Sequence, residues 1–310
     1  MATIYGNGSA NRLGGITDAG LDHARYDEDG RKTGHDGLPG TSTVDRIRIA
    51  TQAGPLVAFV INPHRTAQAR PLVVLHGISR NARSLVSHFQ QEAERSGRLI
   101  IVPHFTKRQW PHFQRPGPAA RPDQAVVELL NRLALRYPEC AGRVDLVGHS
   151  GGAQLAHRMA MLYPQRVARL NLAAAGWYCL PDRSMPFPYG LGDSDSRGAG
   201  LWNRRNQAGL DAFLGLQIRV FIGTRDTERD SALRITTELD AGQGRTRYDR
   251  ARNYVAAVRK AAQDHDRIAD IRLIEMQGCA HDVEQAITRA GLARMVAGLP
   301  DTVVPFATAS

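Results

Sequence analysis

The residues best suited to chemistry in this sequence are Gly148-His149-Ser150-Gly151-Gly152, which match G-x-S-x-G. Alone the pattern is weak, because five positions with two of them free recur by chance. The plainer reading is a Gly-rich βα turn with an incidental serine. Its setting argues for more. RVDLVG (143–148) runs into the motif as a buried strand does, and Gly152 to about Tyr163 reads as a helix leaving it, ended by Pro164. A sharp strand-to-helix turn needs small residues because its backbone is crowded. It leaves the serine hydroxyl exposed above the strand's C-terminal end, near a helix N-terminus, where a nucleophile can act.

A serine hydroxyl is a poor nucleophile until a base takes its proton. Of the eleven histidines, His281 is placed best: Gly278-Cys279-Ala280-His281-Asp282 follows the last apparent strand and precedes the final helix. Catalytic groups gather at that edge of an open α/β sheet. The histidine in turn needs an acid to fix its tautomer and stabilise the imidazolium. Asp226 stands just past the run 218–223, one βα unit before His281, and the chain order Ser, acid, His fits. Glu228 and Asp230 are rivals from the same acidic loop; Asp226 is preferred because it lies closest to the strand end.

Charge developing on a substrate oxygen needs preorganised N–H donors. The amide of Gly151, next after the serine, is one candidate. The other is expected from Leu75-His76-Gly77-Ile78-Ser79-Arg80-Asn81, with the Ile78 amide preferred and that of Ser79 as the alternative. His76 reads as a structural histidine of that turn. His104 and His112 lie in Pro-His-Phe triplets with no third ligand at metal spacing. No P-loop or G-x-G-x-x-G follows a strand, and Met159 and Met161 read as core packing. No metal and no cofactor is therefore expected.

The elements that must position these groups are legible as punctuation. TVDRIRIA (43–50) alternates as a half-exposed strand, and PLVAFVI (55–61) follows it as an antiparallel partner. PLVVLHG (71–77) and LIIVPHF (99–105) are apolar runs of the kind buried on both faces of a parallel sheet, RVDLVG (143–148) is the next buried strand, and RLNLAAAG (169–176), IRVFIG (218–223) and IRLIEMQG (271–278) are three more strand candidates. Helical patterns lie between them: 83–96, from near Asp123 to before Pro138, 152–163, 248–265 and 283–297. The alternation predicts an α/β fold with an eight-stranded, mostly parallel sheet and helices on both faces. Residues 177–217 break the rhythm. They are rich in Gly, Pro, Asp and Ser, carry Trp177 and Trp202, and are expected to form a lid or substrate loop.

Composition narrows the function further. The 310 residues carry a net charge of +10, and all but Lys32, Lys107 and Lys260 of the 40 basic side chains are arginine. These arginines are dispersed among acids, and aromatics are only 6%, so a solvated surface is expected rather than a nucleic-acid interface. No run approaches the ~18 apolar residues of a membrane span. The N-terminus shows neither a basic nor an apolar leader region, and three scattered cysteines fit free thiols, so a cytoplasmic location is expected. Residues 1–42, rich in Gly, Asp, Asn, Ser and Thr, read as an irregular arm, 43–298 as the globular domain and 299–310 as a tail.

With these residues in place, the chain resembles the α/β-hydrolase superfamily over roughly residues 43–298. More narrowly it resembles the bacterial polyhydroxybutyrate-depolymerase-like or feruloyl-esterase-like hydrolases. The matching stretches are LHGISRNA (75–82), GHSGGAQLAHR (148–158), AAGWYCLPD (174–182), FPYGL (187–191) and GQGRTRYDRARNY (242–254) leading to GCAHD (278–282). The resemblance implies Ser150 as nucleophile, Asp226 as acid and His281 as base. It also implies that Trp177, Tyr178 and Tyr189 lie near the substrate crevice. The export signals and polymer-binding modules of secreted polyester depolymerases are not recognisable. The expected activity is hydrolysis of a small-molecule or oligomeric carboxylic ester, with the amide or acyl-transfer reaction of the same triad, or ligand binding without catalysis, as alternatives.

Overall fold

A computed structural model describes residues 24–25, 41–115, 120–194 and 199–298. The strands are β1 (Ala24–Arg25), β2 (Thr43–Ile49), β3 (Leu56–Asn62), β4 (Leu72–Leu75), β5 (Ile100–His104), β6 (Val144–His149), β7 (Val167–Ala173), β8 (Gln217–Gly223) and β9 (Ile271–Met276). They form one sheet in the order β1-β2-β3-β5-β4-β6-β7-β8-β9. The pairs β1–β2, β2–β3 and β3–β5 are antiparallel, and every pair from β5 to β9 is parallel. The reversal of order at β5-β4-β6 leaves β4 and β6 side by side, so the loops after both strands lie together at one edge of the sheet.

The helices are α1 (Ala82–Ser96), α2 (Pro122–Leu133), α3 (Gly151–Leu162), α4 (Ala199–Leu214), α5 (Thr237–Gln243), α6 (Arg247–Asp264), α7 (Val283–Thr288) and α8 (Leu292–Ala297). Strand side chains alternate between two cores. Val73 and Leu75 of β4 join Leu129 of α2, Ala156 of α3 and Val258 of α6 on one face. Leu72 and Val74 join Phe89 of α1 and Val296 of α8 on the other. Burial on both faces is why β4 and β5 read as unbroken apolar runs.

The eight expected strands all form, as β2 to β9, and two residues of the expected N-terminal arm pair with β2 as a short ninth. The rest of the arm below residue 41, and the expected tail 299–310, lie outside the described residues. The segment 177–217 is not all loop: it ends in the 16-residue α4, whose Trp202, Leu210, Phe213 and Leu214 are buried. Gly200 and Gly209 lower the helical signal there, although Gly209 permits close approach, since a Cβ on it would meet the Met161 carbonyl oxygen at 2.6 Å. The expected final helix is two short ones, split at Gly291, whose φ of 70° breaks the helical path.

Among the described residues, no helix is long and apolar enough to cross a membrane. No group of three or more His, Cys, Asp or Glu among them is placed to hold a metal ion.

Candidate active site

The serine turn is as crowded as its glycines suggest. A Cβ on Gly148 would stand 2.3 Å from the Gly152 carbonyl carbon, and one on Gly152 would stand 2.0 Å from the Leu75 carbonyl oxygen. Ser150 itself sits at φ 54°, ψ −117°, a conformation a side chain rarely adopts, with its amide held by the Ala173 carbonyl at 2.8 Å. Such a position persists only where its surroundings over-determine it. The result is a hydroxyl at the end of β6 and the start of α3.

The loops after β8 and β9 are laced together at the same edge. Gly223 lets them close, since a Cβ there would meet the Cys279 carbonyl oxygen at 2.2 Å. The Arg225 amide donates to that same oxygen at 2.9 Å, and the Gly278 amide donates to Thr224 Oγ1 at 2.9 Å. This lacing brings Asp226 to His281. His281 Nδ1 lies 2.9 Å from Asp226 Oδ2, and His281 Nε2 lies 3.1 Å from Ser150 Oγ. An ionised carboxylate only accepts, so Nδ1 carries the ring proton and Nε2 is free to take one from the serine. The Asp226 side chain is fully buried, whereas that of His281 is 18% exposed.

Neither rival acid reaches the histidine. Glu228 is exposed. Asp230 accepts both ends of the Arg247 guanidinium, at 2.9 and 2.8 Å, and those hydrogen bonds hold its carboxyl down to about 2. Arg247 also contacts Asp226 Oδ1 at 3.5 Å. On the other side of the base, the His149 ring stacks on His281 with centroids 5.2 Å apart. Burial first, then the charges of His281 and Arg247, pushes His149 down to about 3, so it packs there as a neutral ring.

The loop after β4 runs beside the serine, where a Cβ on Gly77 would stand 3.6 Å from that of Ser150. His76 anchors it. Its Nε2 accepts the Phe105 amide at 2.9 Å, which leaves Nδ1 to donate to the Gly77 carbonyl at 2.8 Å. Burial pushes this histidine down to about 4, so it is a structural group, as its place in the turn suggested. Arg80 ties the same loop to the next one through the carbonyls of Phe105, Trp110 and Pro111. The amides of Ile78, Ser79 and Gly151 donate to no described residue. The Ile78 side chain covers Gly151, since a Cβ there would meet Ile78 Cγ2 at 2.9 Å.

The three aromatics separate. Trp177 meets Tyr189 edge to face at 5.1 Å, and Arg158 and Arg234 lie over these two rings at 6.0 and 5.5 Å respectively. Tyr178 instead enters the core. Its ring stacks on Tyr254 at 4.1 Å and is edge-on to His157, so in this conformation it offers no face to a ligand. Sequence neighbours in extended chain point to opposite sides, so Trp177 and Tyr178 cannot both face one crevice.

Two groups at the site went unnamed from the sequence. Gln114 packs beside Gly151, 3.1 Å from where a Cβ on that glycine would be, and its buried Oε1 has no partner among the described residues. It follows His112 and Phe113, and no sequence motif marks it. Arg247 was hidden within an arginine-rich helix start, where the Thr246–Asp249 capping box was the only local signal.

No family model and no curated protein matches the sequence. Solved structures do match. Poly(aspartic acid) hydrolase-1 from Sphingomonas sp. KT-1 superposes with a TM-score of 0.69 at 23% identity, over 84% of this chain and 99% of that one. The poly(3-hydroxybutyrate) depolymerase LpqC from Bordetella parapertussis gives 0.65 at 24%, over 81% and 92%. The chain has the α/β-hydrolase fold. An S-formylglutathione hydrolase from Agrobacterium tumefaciens matches less closely, with a TM-score of 0.54 at 13% identity over 85% and 99%. At these identities the α/β-hydrolase architecture is what is shared, and the chemistry is argued from this chain's own residues.

Proposed function

We propose that the protein is a serine hydrolase that cleaves a carboxylic ester through an acyl-enzyme. The observation that carries this reading is the unbroken hydrogen-bonded line from buried Asp226 through His281 to Ser150 Oγ. Ser150 attacks the acyl carbonyl as its proton passes to His281 Nε2. Asp226 stabilises the imidazolium, and the Gly151 and Ile78 amides receive the oxyanion. The imidazolium then protonates the departing alcohol. A water activated by His281 releases the acid and restores the serine.

The substrate is a small or oligomeric ester, held in the crevice between the loop after β4 and the segment 177–217, within a single catalytic domain 43–298. Tyr189, half-buried and with exposed Arg234 over its ring, is the aromatic of that segment that faces it. Hydrolysis of short and medium-chain p-nitrophenyl esters by wild type and Ser150→Ala tests the reading. Turnover in the wild type should fall by at least about 10,000-fold in the variant, with unchanged thermal unfolding. Equal slow release by both proteins would refute it.

One observation favours a second reading, cleavage of an amide by the same triad. The Sphingomonas structure is named for poly(aspartic acid), a polymer joined by amide bonds and bearing carboxylates. Exposed Arg234, which lies over the Tyr189 ring, suits an acidic substrate. Faster turnover of an acidic p-nitroanilide than of any neutral ester would favour this alternative.

A further inference from the structure

Arg247 is the buried ionic group at this site that acyl transfer does not itself use. It occupies the first position of α6, after the Thr246 cap, where a cation faces the positive end of the helix dipole. Its side chain is 1% exposed, and its Nε has no partner among the described residues. Both features are unfavourable, and two carboxylates offset them. The guanidinium binds Asp230 with both terminal nitrogens, and one of these, Nη1, also reaches Asp226 Oδ1 on the side away from His281.

This division of contacts matters. An arginine paired with Asp226 alone would compete with His281 for the acid and oppose the imidazolium that must form. With Asp230 taking most of the charge, the guanidinium occupies one oxygen of Asp226 and leaves the other for Nδ1. Arg250, one turn further along α6, is a second buried cation near Arg247, and Asp240 balances it at 3.1 Å. The remaining titratable groups that face the pair from other elements are neutral. His149 stacks on His281 from the elbow, and the Tyr178 phenol lies on the β7 side, its ionisation opposed by burial and then by the charge of Asp226. Arg225 and Glu228 of the acid loop are exposed, and Asp282 caps α7.

We propose that Arg247, charge-balanced by Asp230, is a positioning residue that aims the Asp226 carboxylate at His281 and sets how readily the imidazole holds a proton. The inference rests on the serine-hydrolase reading and deepens it. Removing the cation leaves two carboxylates behind the base and favours the imidazolium. Removing Asp230 leaves the cation uncompensated and disfavours it.

The test is the rate at which a fluorophosphonate labels Ser150, followed across pH, which requires no knowledge of the substrate. In Arg247→Met the acidic limb of the profile should move up by about one pH unit, and in Asp230→Asn it should move down by a similar amount. Arg247→Lys keeps the charge and should restore the limb close to its wild-type position while losing rate, because an ammonium lacks the planar fork. If Arg247→Met does not fold, the other two variants carry the comparison. Superimposed limbs, or limbs that move in the same direction, overturn the inference. A folded wild type that takes no label overturns the hydrolase reading itself, and the inference with it.

Discussion

The two ends of the sheet each bury an ion cluster, and they use it in opposite ways. At the N-terminal edge, Arg98 donates to Asp145 Oδ2 at 2.8 Å, to the Arg70 carbonyl at 2.9 Å and to the Val296 and Ala297 carbonyls of α8 at 3.5 and 3.3 Å. Both charged side chains are almost wholly buried. The guanidinium is spent on closing β5, β6 and the last helix together. At the C-terminal edge, the run from Asp230 through Arg247, Asp226 and His281 is equally polar, but it ends on a hydroxyl and becomes partly exposed at the histidine. A closed cluster locks the elements that carry it. An open-ended one passes its electrostatic effect on to whatever reaches the last member. Sheet topology decides which is which, because the loops that carry Ser150, Asp226 and His281 all leave the C-terminal edge of the parallel strands.

The sharpest way to break this contrast is to remove a charge from each end. Asp226→Asn keeps the shape of the acid but not its charge or its demand for the Nδ1 proton. Turnover should fall by about 10,000-fold with little change in melting temperature. Glu228→Gln should be close to wild type. If Glu228→Gln were crippling and Asp226→Asn mild, steady-state rates would show it at once and the acid would be wrongly assigned.

Arg98→Met should show the reverse pattern. It strands Asp145 in the interior, where Oδ1 already has no partner among the described residues, and should cost about 3–5 kcal/mol of stability in denaturant unfolding. Activity per folded molecule, read from the fraction that takes a serine label, should be unchanged. A large loss of activity in the folded fraction would mean that the two edges are coupled and the contrast is false.

The same contrast explains what could be read in advance. The inner strands β4 and β5 were legible because burial on both faces writes them as apolar runs, whereas β9 at the edge is largely unburied and mixes Arg272 and Glu275 with its apolar residues. Ser150, Asp226 and His281 were legible because each follows an expected strand directly, so element order alone sends them to one edge. The Arg247–Asp230 pair was not, because an ion pair between a loop and a helix start leaves no periodic trace in a chain with so many arginines. Tyr178 was misplaced for a related reason: motif resemblance gives the neighbourhood of a residue, whereas the side it points to depends on packing. Its burial is set by Tyr254 and by Gln243, which accepts the Tyr178 amide at 3.0 Å and donates to its carbonyl at 2.7 Å. α4 was missed because its glycines and flanking polar residues mask a buried side visible only once α3 lies against it.

A smaller effect separates the histidines of the two kinds of region. His157 sits in the middle of α3, edge-on to Tyr178, Phe213 and Tyr254, with its Nε2 unpartnered among the described residues. Burial, reinforced by the Arg158 charge, pushes it from 6.5 down to about 3. A group depressed on folding contributes stability that is present above its unfolded value and is lost as pH falls toward its folded one. Between pH 6.5 and about 3 the unfolded chain therefore binds a proton here that the native protein refuses. His157→Phe keeps an aromatic ring in an aromatic cage and removes that proton. It should be nearly neutral at pH 8 and more stable than wild type by about 2 kcal/mol at pH 5, measured by urea unfolding at both values. Activity at pH 8 should not change. His149→Phe shares the depressed titration but removes the neutral ring stacked on His281, and it should slow Ser150 labelling even at pH 8. Equal effects of the two substitutions on labelling would show that His149, although at the reacting edge, is only packing.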